Sequence, residues 1–447
     1  MATLSRRALL RGGMVSATVV FLAACSRGSS AAAAGATASR ALTTPGTPGM
    51  PGATVTRAAV TSSASPTRPV ATPGGTPTVG ATRTGVTDGE IKLGTWGPQD
   101  GPAGVYGVVS RVIGAYFASI NAGGGIAGRK ITLINENDSY QPTKTATAVR
   151  KLVEADRVFA LVGGLGAQHN RDVLDYLTGN NVPHIAPATG LGALSRPTRP
   201  GIFCVQPSYT VEATLLTRHA LDTVGARKLA VFHQDDATGR EGLDAVQAEL
   251  ARRGLSAATG ISYATGDNNS SAQALRIRMA NADALILYAV PRAAGSIIQE
   301  LARIGVNMPL LASSLINDPS LFELVGPGIE GLIVGSWLAS STGSDAKVGE
   351  FQAWMRANLP NERPDDFAAA GYAYATLMAE LLRRVGGDLT RERLIATANA
   401  LQGYTGSLVP SISYSQDDHQ GCRALSFQRA RFADKGFVRV TEFVELR

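Results

Sequence analysis

Residues 115–131 read AYFASINAGGGIAGRKI and combine the end of a helix, a glycine-rich turn and the start of a strand. Ala115, Tyr116 and Ile120 have helical spacing, whereas residues 130–135 are typical of a strand. The glycines at 123–128 formally match GxGxxG, but phosphate binding by that motif requires a strand before it and a helix after it. Because the order is reversed here, we interpret the segment as a turn and not as a nucleotide site.

The alternation of strand and helix continues on both sides of this turn. Strands are predicted at 90–97, 130–135, 158–163 and 183–186, and helices at 105–121, 143–155 and 170–178. The order βαβαβαβ predicts a parallel sheet covered by helices on both faces.

A second block of the same kind follows residues 202–205. Strands are predicted at 229–233, 284–288 and 310–312, helices at 241–253 and 293–304, a helical region at 345–401, and short strands at 404–447. The long helix 366–385 carries a stripe that we interpret as core and not as a ligand site; it consists of Phe367, Tyr374, Leu377, Leu381 and Val385. Two successive α/β sheets predict two lobes.

Ligands of open parallel sheets bind beyond the carboxyl ends of the strands. The candidate site is therefore built from the loops that leave those ends, at 97–107, 136–142, 164–169, 187–191, 234–240, 289–292 and 313–318.

The chain has 447 residues and a formal net charge of +7, which invites a nucleic-acid or membrane-surface function. Residues 1–24 contain three arginines and no acid, and residues 25–86 contain five arginines and no acid. The remaining residues hold 34 basic against 35 acidic side chains, a balance of −1. The body is nearly neutral, so we expect no nucleic-acid partner.

Residues 1–24 have the pattern of a signal peptide. A basic start precedes an apolar run at 14–24, which is too short to span about 30 Å of hydrocarbon. Residues 22–25, LAAC, resemble the lipobox of bacterial lipoproteins, which implies a lipid on Cys25. Residues 5–11, SRRALLR, resemble a twin-arginine signal, so that both this route and the general secretory route remain open.

Residues 25–86 are rich in Ala, Gly, Ser, Thr and Pro and show neither helical nor alternating periodicity. Such a segment buries too little apolar surface to offset its ordering entropy. We predict a disordered tether that holds the folded part near a membrane.

Motifs of common enzymes and metal sites are missing from the sequence. It contains no GxxxxGK[ST], HExxH, GxSxG or CxxC, and its five histidines show no ligand spacing. We therefore expect no cofactor, no metal and no enzymatic activity.

Several segments resemble the leucine/isoleucine/valine-binding family of bacterial substrate-binding proteins. They are GPQDGP at 97–102 with YG at 106–107, the stretch 115–131, ND at 137–138 with Pro142, FALVG at 159–163, VPHIAPAT at 182–189 and EGL at 330–332. The resemblance covers about residues 88–447 in consistent order.

The resemblance implies a type I periplasmic-binding fold, in which two lobes joined by three crossovers close on a small ligand. The crossovers are expected near 203–207, 334–338 and 404–412. The first lobe would comprise 88–205 plus 336–408, and the second lobe 206–335 plus 409–447. The implied partner is the permease of an ABC transporter.

The resemblance also implies which residues bind the ligand. The first lobe would hold a carboxylate through backbone N–H and hydroxyl groups, and the second lobe would close over it. The implied residues are Tyr106, Gly166, Ala167, Gln168, Ala188 and Thr189 from the first lobe, and Thr238, Val290, Ser313 and Ser314 from the second.

This chain departs from the amino-acid-binding pattern at Ser313-Ser314, where amino-acid binders place an acid for the ligand ammonium. An ammonium buried without an anion costs several kcal/mol. Either Asp235, Asp236 or Asp318 substitutes for that acid, or the ligand lacks a free amine. Amino acids, amides, carboxylates and aromatic acids all remain candidates.

Beyond Cys25, the chain has two cysteines, Cys204 and Cys422, both near expected crossovers. In an exported protein this pair is a possible disulfide, and two buried thiols are the alternative.

Together these features predict an exported, lipid-anchored solute-binding protein on the outer face of the bacterial cytoplasmic membrane, which delivers a small polar solute to an ABC permease. A ligand-sensing ectodomain on the same fold, partnered with a signalling protein, is the alternative. A nucleotide-dependent dehydrogenase would need a correctly placed fingerprint and an acid–base pair.

Overall fold

The computed structural model describes residues 83–101, 103–267, 269–341 and 343–446. The predicted signal peptide, Cys25 and the tether up to residue 82 lie outside the described residues. Residues 83–86, which we assigned to the tether, are hydrogen-bonded to the folded part. The amide of Lys92 donates to Gly85 over 2.8 Å, and Arg83 pairs with Asp388 over 2.5 Å.

The first sheet has five parallel strands in the order β2-β1-β3-β4-β5. They are β1 (Glu90–Gly97), β2 (Lys130–Asn137), β3 (Ala160–Val162), β4 (His184–Ile185) and β5 (Ile202–Phe203). The connecting helices are α1 (Gly107–Ala122), α2 (Pro142–Arg150) and α3 (Ala167–Gly179). The predicted parallel sheet is therefore present.

Helices cover both faces of this sheet. Successive strand residues point to opposite faces. Ala160 and Val162 belong to the core cluster that includes α1, whereas Leu161 belongs to the cluster that includes α2 and α3. This arrangement explains why β3 is apolar at every position.

The glycine-rich turn of residues 123–128 connects α1 to β2 as predicted. Gly125 has a φ of +81°, and a Cβ there would lie 2.0 Å from the carbonyl oxygen of Arg129. Only glycine fits such a position, because it has neither the steric penalty nor the side chain. The turn is structural, and no strand leads into it.

The second sheet has eight strands, with β12-β11-β10-β9-β8-β6-β7 in order and β13 beside β11. The strands β6 (Leu229–Gln234), β7 (Thr259–Tyr263), β8 (Ala284–Tyr288), β9 (Leu310–Ala312) and β10 (Ile333–Ser336) are parallel. The last three, β11 (Ala424–Arg431), β12 (Gly436–Arg439) and β13 (Val444–Glu445), join antiparallel.

The remaining helices are α4 (Tyr209–Asp222), α5 (Ala237–Arg252), α6 (Ser271–Ala280), α7 (Pro291–Arg303), α8 (Ser320–Val325), α9 (Ala346–Asn358), α10 (Asp366–Val385) and α11 (Arg391–Asn399). Helix α10 packs against α1, so the chain returns to the first sheet after β10. We call each sheet with its packed helices a lobe. None of the helices in the described ranges is long and apolar enough to cross a bilayer.

Cys204 and Cys422 are free thiols in the structure, and both are buried. Their segments run side by side, with the amide of Gly421 donating to the carbonyl of Cys204 over 2.8 Å. Burial raises the pKa of each thiol to about 12. The structure therefore has the alternative that we left open, two buried thiols, and not the disulfide.

Candidate functional site

A cavity lies between the two lobes, at the carboxyl ends of the strands of both sheets. It encloses about 830 Å³, including the space open to solvent at its mouth. All seven loops that the sequence selected contribute at least one lining residue, as the rule for open parallel sheets requires.

Seven of the ten residues implied by the resemblance line this cavity. They are Tyr106, Gly166, Ala167, Ala188, Thr238, Val290 and Ser314. Both lobes contribute to this set, so a ligand in the cavity touches both.

The other three do not line the cavity. The amide of Gln168 is turned away and donates to the carboxylate of Asp172. The hydroxyl of Thr189 is used within the wall, where it accepts from the amide of Leu191 over 3.2 Å. Ser313 is fully buried behind its neighbour Ser314.

The first turn of α3 forms part of the cavity wall. Gly166 precedes the helix with a φ of +109°, and a Cβ there would lie 2.2 Å from Nδ1 of His169. No side chain caps this helix start. Amide groups at a helix N-terminus favour an anion, so this end of the cavity is suited to a carboxylate.

Aromatic side chains dominate the rest of the wall. Seven line the cavity, namely Tyr106, Tyr140, Tyr209, Tyr288, Trp337, Phe367 and Tyr374. The rings of Tyr106 and Phe367 lie 4.7 Å apart between centroids, and Trp337 stacks on Tyr374 at 5.9 Å. The sequence identified only Tyr106.

The interpretation of the α10 stripe as core was wrong for part of the helix. Phe367, Ala370 and Tyr374 face the cavity, whereas Leu377 and Leu381 are fully buried in the core. Helical spacing indicates which residues share a face, but a packed face and a cavity face have the same pattern.

Three hydrogen bonds join the lobes across the cavity. The hydroxyl of Tyr106 donates to the carbonyl of Leu315 over 3.1 Å. The amide of Gly192 donates to the carboxylate of Glu241 over 2.9 Å. The third bond runs from the Asn317 side chain to a carboxylate oxygen of Asp366.

The three acids that we considered as partners for a ligand amine are used elsewhere. Asp235 pairs with Arg240 at 2.7 Å on an exposed surface. Asp236 caps α5 by accepting from the amide of Gly239 over 3.0 Å. Asp318 accepts from the amide of Ser320 over 2.7 Å. None of the three lines the cavity.

Two other carboxyl groups lie at the cavity and were missed from the sequence. Asp366, the first residue of α10, lines the cavity, and burial raises its pKa to about 6. Glu212 is buried behind Ser314, whose amide donates to it over 2.6 Å, and burial raises its pKa to about 7. In the described part of the chain, no cluster of three or more His, Cys, Asp or Glu residues could hold a metal ion.

A wider outer cavity, of about 1410 Å³ including open solvent, adjoins the first one. The two share Tyr106, Tyr140, Gln234 and Val290 as lining residues. The outer cavity therefore connects the site to solvent between the lobes.

Two α/β lobes with an enclosed cavity between them define the class of two-lobed solute-binding proteins. Residues 90–436 match the family model described as periplasmic binding protein, and the chain belongs to that family. The fold and the family that the resemblance implied are thereby confirmed.

A curated relative is the Leu/Ile/Val-binding protein homolog 3 of Brucella melitensis biotype 1. It is 24% identical over 299 residues, which are 66% of this chain and 80% of the relative.

Two solved structures share the fold. One is a branched chain amino acid ABC transporter from Thermus thermophilus with bound valine, at a TM-score of 0.73 and 17% identity, covering 81% of this chain and 98% of that one. The other is a fatty acid ABC transporter substrate-binding protein from Thermomonospora curvata, at a TM-score of 0.76 and 20% identity, covering 82% and 95%. Relatives of this chain are thus binding proteins for different solutes.

Proposed function

We propose that this chain is the extracytoplasmic solute-binding protein of an ABC transporter, which captures a small polar solute between its lobes and presents it to the permease. The observation that carries the proposal is the cavity between the lobes, lined from both sides at the carboxyl ends of two sheets. The relatives are binding proteins, which supports a binding role and not a catalytic one.

The solute is an amino acid or a related amide or carboxylate. A carboxylate would bind at the first turn of α3, beside Gly166 and Ala167. The names of the curated Leu/Ile/Val-binding relatives support branched-chain amino acids as one candidate.

Closure of the lobes would hold the solute. The moving parts would be 88–205 plus 336–408 and 206–335 plus 409–447. The bonds across the cleft, such as that from Tyr106 to Leu315, would form only when the lobes are shut and would stabilise the liganded state.

Export and anchoring complete the proposal. A lipid on Cys25 and the tether of 25–86 would keep the binding protein near its permease on the outer face of the cytoplasmic membrane. The family membership supports export.

A thermal-shift screen of the full chain tests the proposal. The panel contains the twenty amino acids, their amides and simple aromatic and aliphatic acids. We expect at least one compound to raise the unfolding temperature, because a ligand that binds only the native state stabilises it. Stabilisation by none of them would contradict solute binding.

A pair of matched variants locates the binding site. Thr238→Trp fills the cavity from the second lobe and should abolish the shift. Thr214→Trp makes the same change at an exposed position of α4 and should preserve it. Equal shifts in both variants would place the solute elsewhere.

A further inference from the structure

Asp366 is the only charged side chain among the described residues that line the inner cavity. It is 8% exposed and lies at the start of α10. Its carboxylate accepts hydrogen bonds from the side chain of Asn317, from the hydroxyl of Ser336 over 3.3 Å and from the amide of Ser341 over 3.4 Å. All three donors are neutral.

No described Lys, Arg or His forms an ion pair with this carboxylate. Lys435 lies beyond it, in the wall of a separate cavity of about 280 Å³. The nearby titratable groups are acids: Asp365 adjoins Asp366, and Asp318 adjoins Asn317. A buried carboxylate without a cationic partner is costly unless something compensates it.

The neighbours of Asp366 in the cavity wall also favour a cation. Phe367 follows it in α10, and Trp337 follows Ser336, one of its hydrogen-bond donors. With Tyr106 and Tyr374 they surround the space in front of the carboxylate with electron-rich ring faces, which attract cations.

We infer that the solute carries a positively charged nitrogen on an apolar or aromatic body, and that Asp366 is the carboxylate that pairs with it. This inference rests on the proposed function, since it assigns a specificity to the same cavity. It also resolves the choice that the sequence left open, because the acid comes from α10 of the first lobe and not from Asp235, Asp236 or Asp318.

The test compares compounds that share a carbon skeleton and differ in charge. The probes are 2-phenylethylamine, 2-phenylethanol and 3-phenylpropionate, and 3-methylbutylamine, 3-methylbutanol and 4-methylpentanoate, titrated into the full chain by calorimetry. We expect one of the amines to bind at least about tenfold more tightly than its alcohol, because hydrogen bonds to charged groups are the strong ones.

Two variants separate the pairing from a general effect of charge. Asp366→Asn keeps the shape and should reduce the preference for the amine to about threefold or less. Asp365→Asn removes the same charge one residue away and should keep the preference, because asparagine caps α10 nearly as well as the aspartate that accepts from Ala368 over 2.9 Å.

Each outcome decides the inference. Equal affinity for an amine and its alcohol in the unmodified chain, which needs no variant to fold, overturns it. Binding of the acids but not of the amines overturns it and leaves the proposed solute binding intact. A preference that survives Asp366→Asn removes Asp366 from the pairing. Silence of these probes and of the earlier panel would end both proposals.

Discussion

The hydroxyl of Tyr106 makes a single bond across the cleft, and Tyr106→Phe removes that hydroxyl alone. It belongs to the segment before α1 in the first lobe, and it donates to the carbonyl of Leu315, which follows β9 in the second lobe, over 3.1 Å. The tyrosine is buried, and its ring keeps its contact with Phe367 in the variant.

The size of the effect follows from the chemistry of this bond. A neutral hydrogen bond between buried groups contributes about 1 kcal/mol net. Because the bond joins the lobes, its loss destabilises the shut state relative to the open one. If the solute binds only the shut state, its apparent affinity falls by the same free energy, which is about fivefold.

Calorimetry with the tightest-binding compound of the thermal-shift panel measures this change. Tyr176→Phe is the matched control, because its hydroxyl donates to Glu154 over 2.7 Å within the first lobe, away from the cleft. We expect a fivefold loss for Tyr106→Phe and no loss for Tyr176→Phe. An unchanged dissociation constant for Tyr106→Phe, in a variant that unfolds cooperatively, would refute the closing role of this bond.

Three further predictions concern stability and chemistry. Burial raises the pKa of Glu212 to about 7, so its ionisation destabilises the native state as the pH rises from about 4.5 to 7; Glu212→Gln should be more stable than the unmodified chain by up to roughly 3 kcal/mol at pH 8 and equal to it at pH 4.5, in urea unfolding. Gly166→Ala should weaken solute binding and lower stability by more than Gly128→Ala, since both glycines have positive φ but only at position 166 would the Cβ clash, with an imidazole nitrogen at 2.2 Å; equal losses would show that the clash relaxes. Cys204 and Cys422 should resist alkylation in the folded chain and react fully in denaturant without a reductant, as mapped by mass spectrometry; protection in denaturant would reveal a disulfide.

Much of the fold could be predicted because its signals are local. Fully apolar runs such as 284–288 identify buried strands, and the glycine turn at 123–128 separates α1 from β2. Helix α6 and strand β7 were not predicted. Leu275 and Met279 of α6 are exposed, so the helix has no clear apolar face for a pattern to reveal.

The candidate site could be predicted where it depends on the ends of strands. The loops after the strands supply Tyr106, Ala188 and Ser314 in their predicted places. Asp366 could not be found in this way, because α10 reaches the cavity only after the chain returns from β10 to the first lobe. That return depends on contacts distant in sequence, and no local pattern records them.

The inward face of α10 shows the same limit. Phe367 and Tyr374 continue the stripe that contains Leu377 and Leu381. Which part of the stripe meets protein and which part meets a cavity depends on the second lobe, where Leu315 and Asn317 lie opposite. The sequence of the helix is the same in either case.

The central claim, that a solute is captured by closure of two lobes, is tested most directly by the distance between them. Spin labels on p-acetylphenylalanine introduced at Arg171 in α3 and at Asp244 in α5, both exposed, report that distance in the full chain without using its thiols. We predict that a saturating, calorimetrically verified solute shortens the distance and narrows its distribution. A distribution that stays the same while the solute is bound would contradict capture by closure.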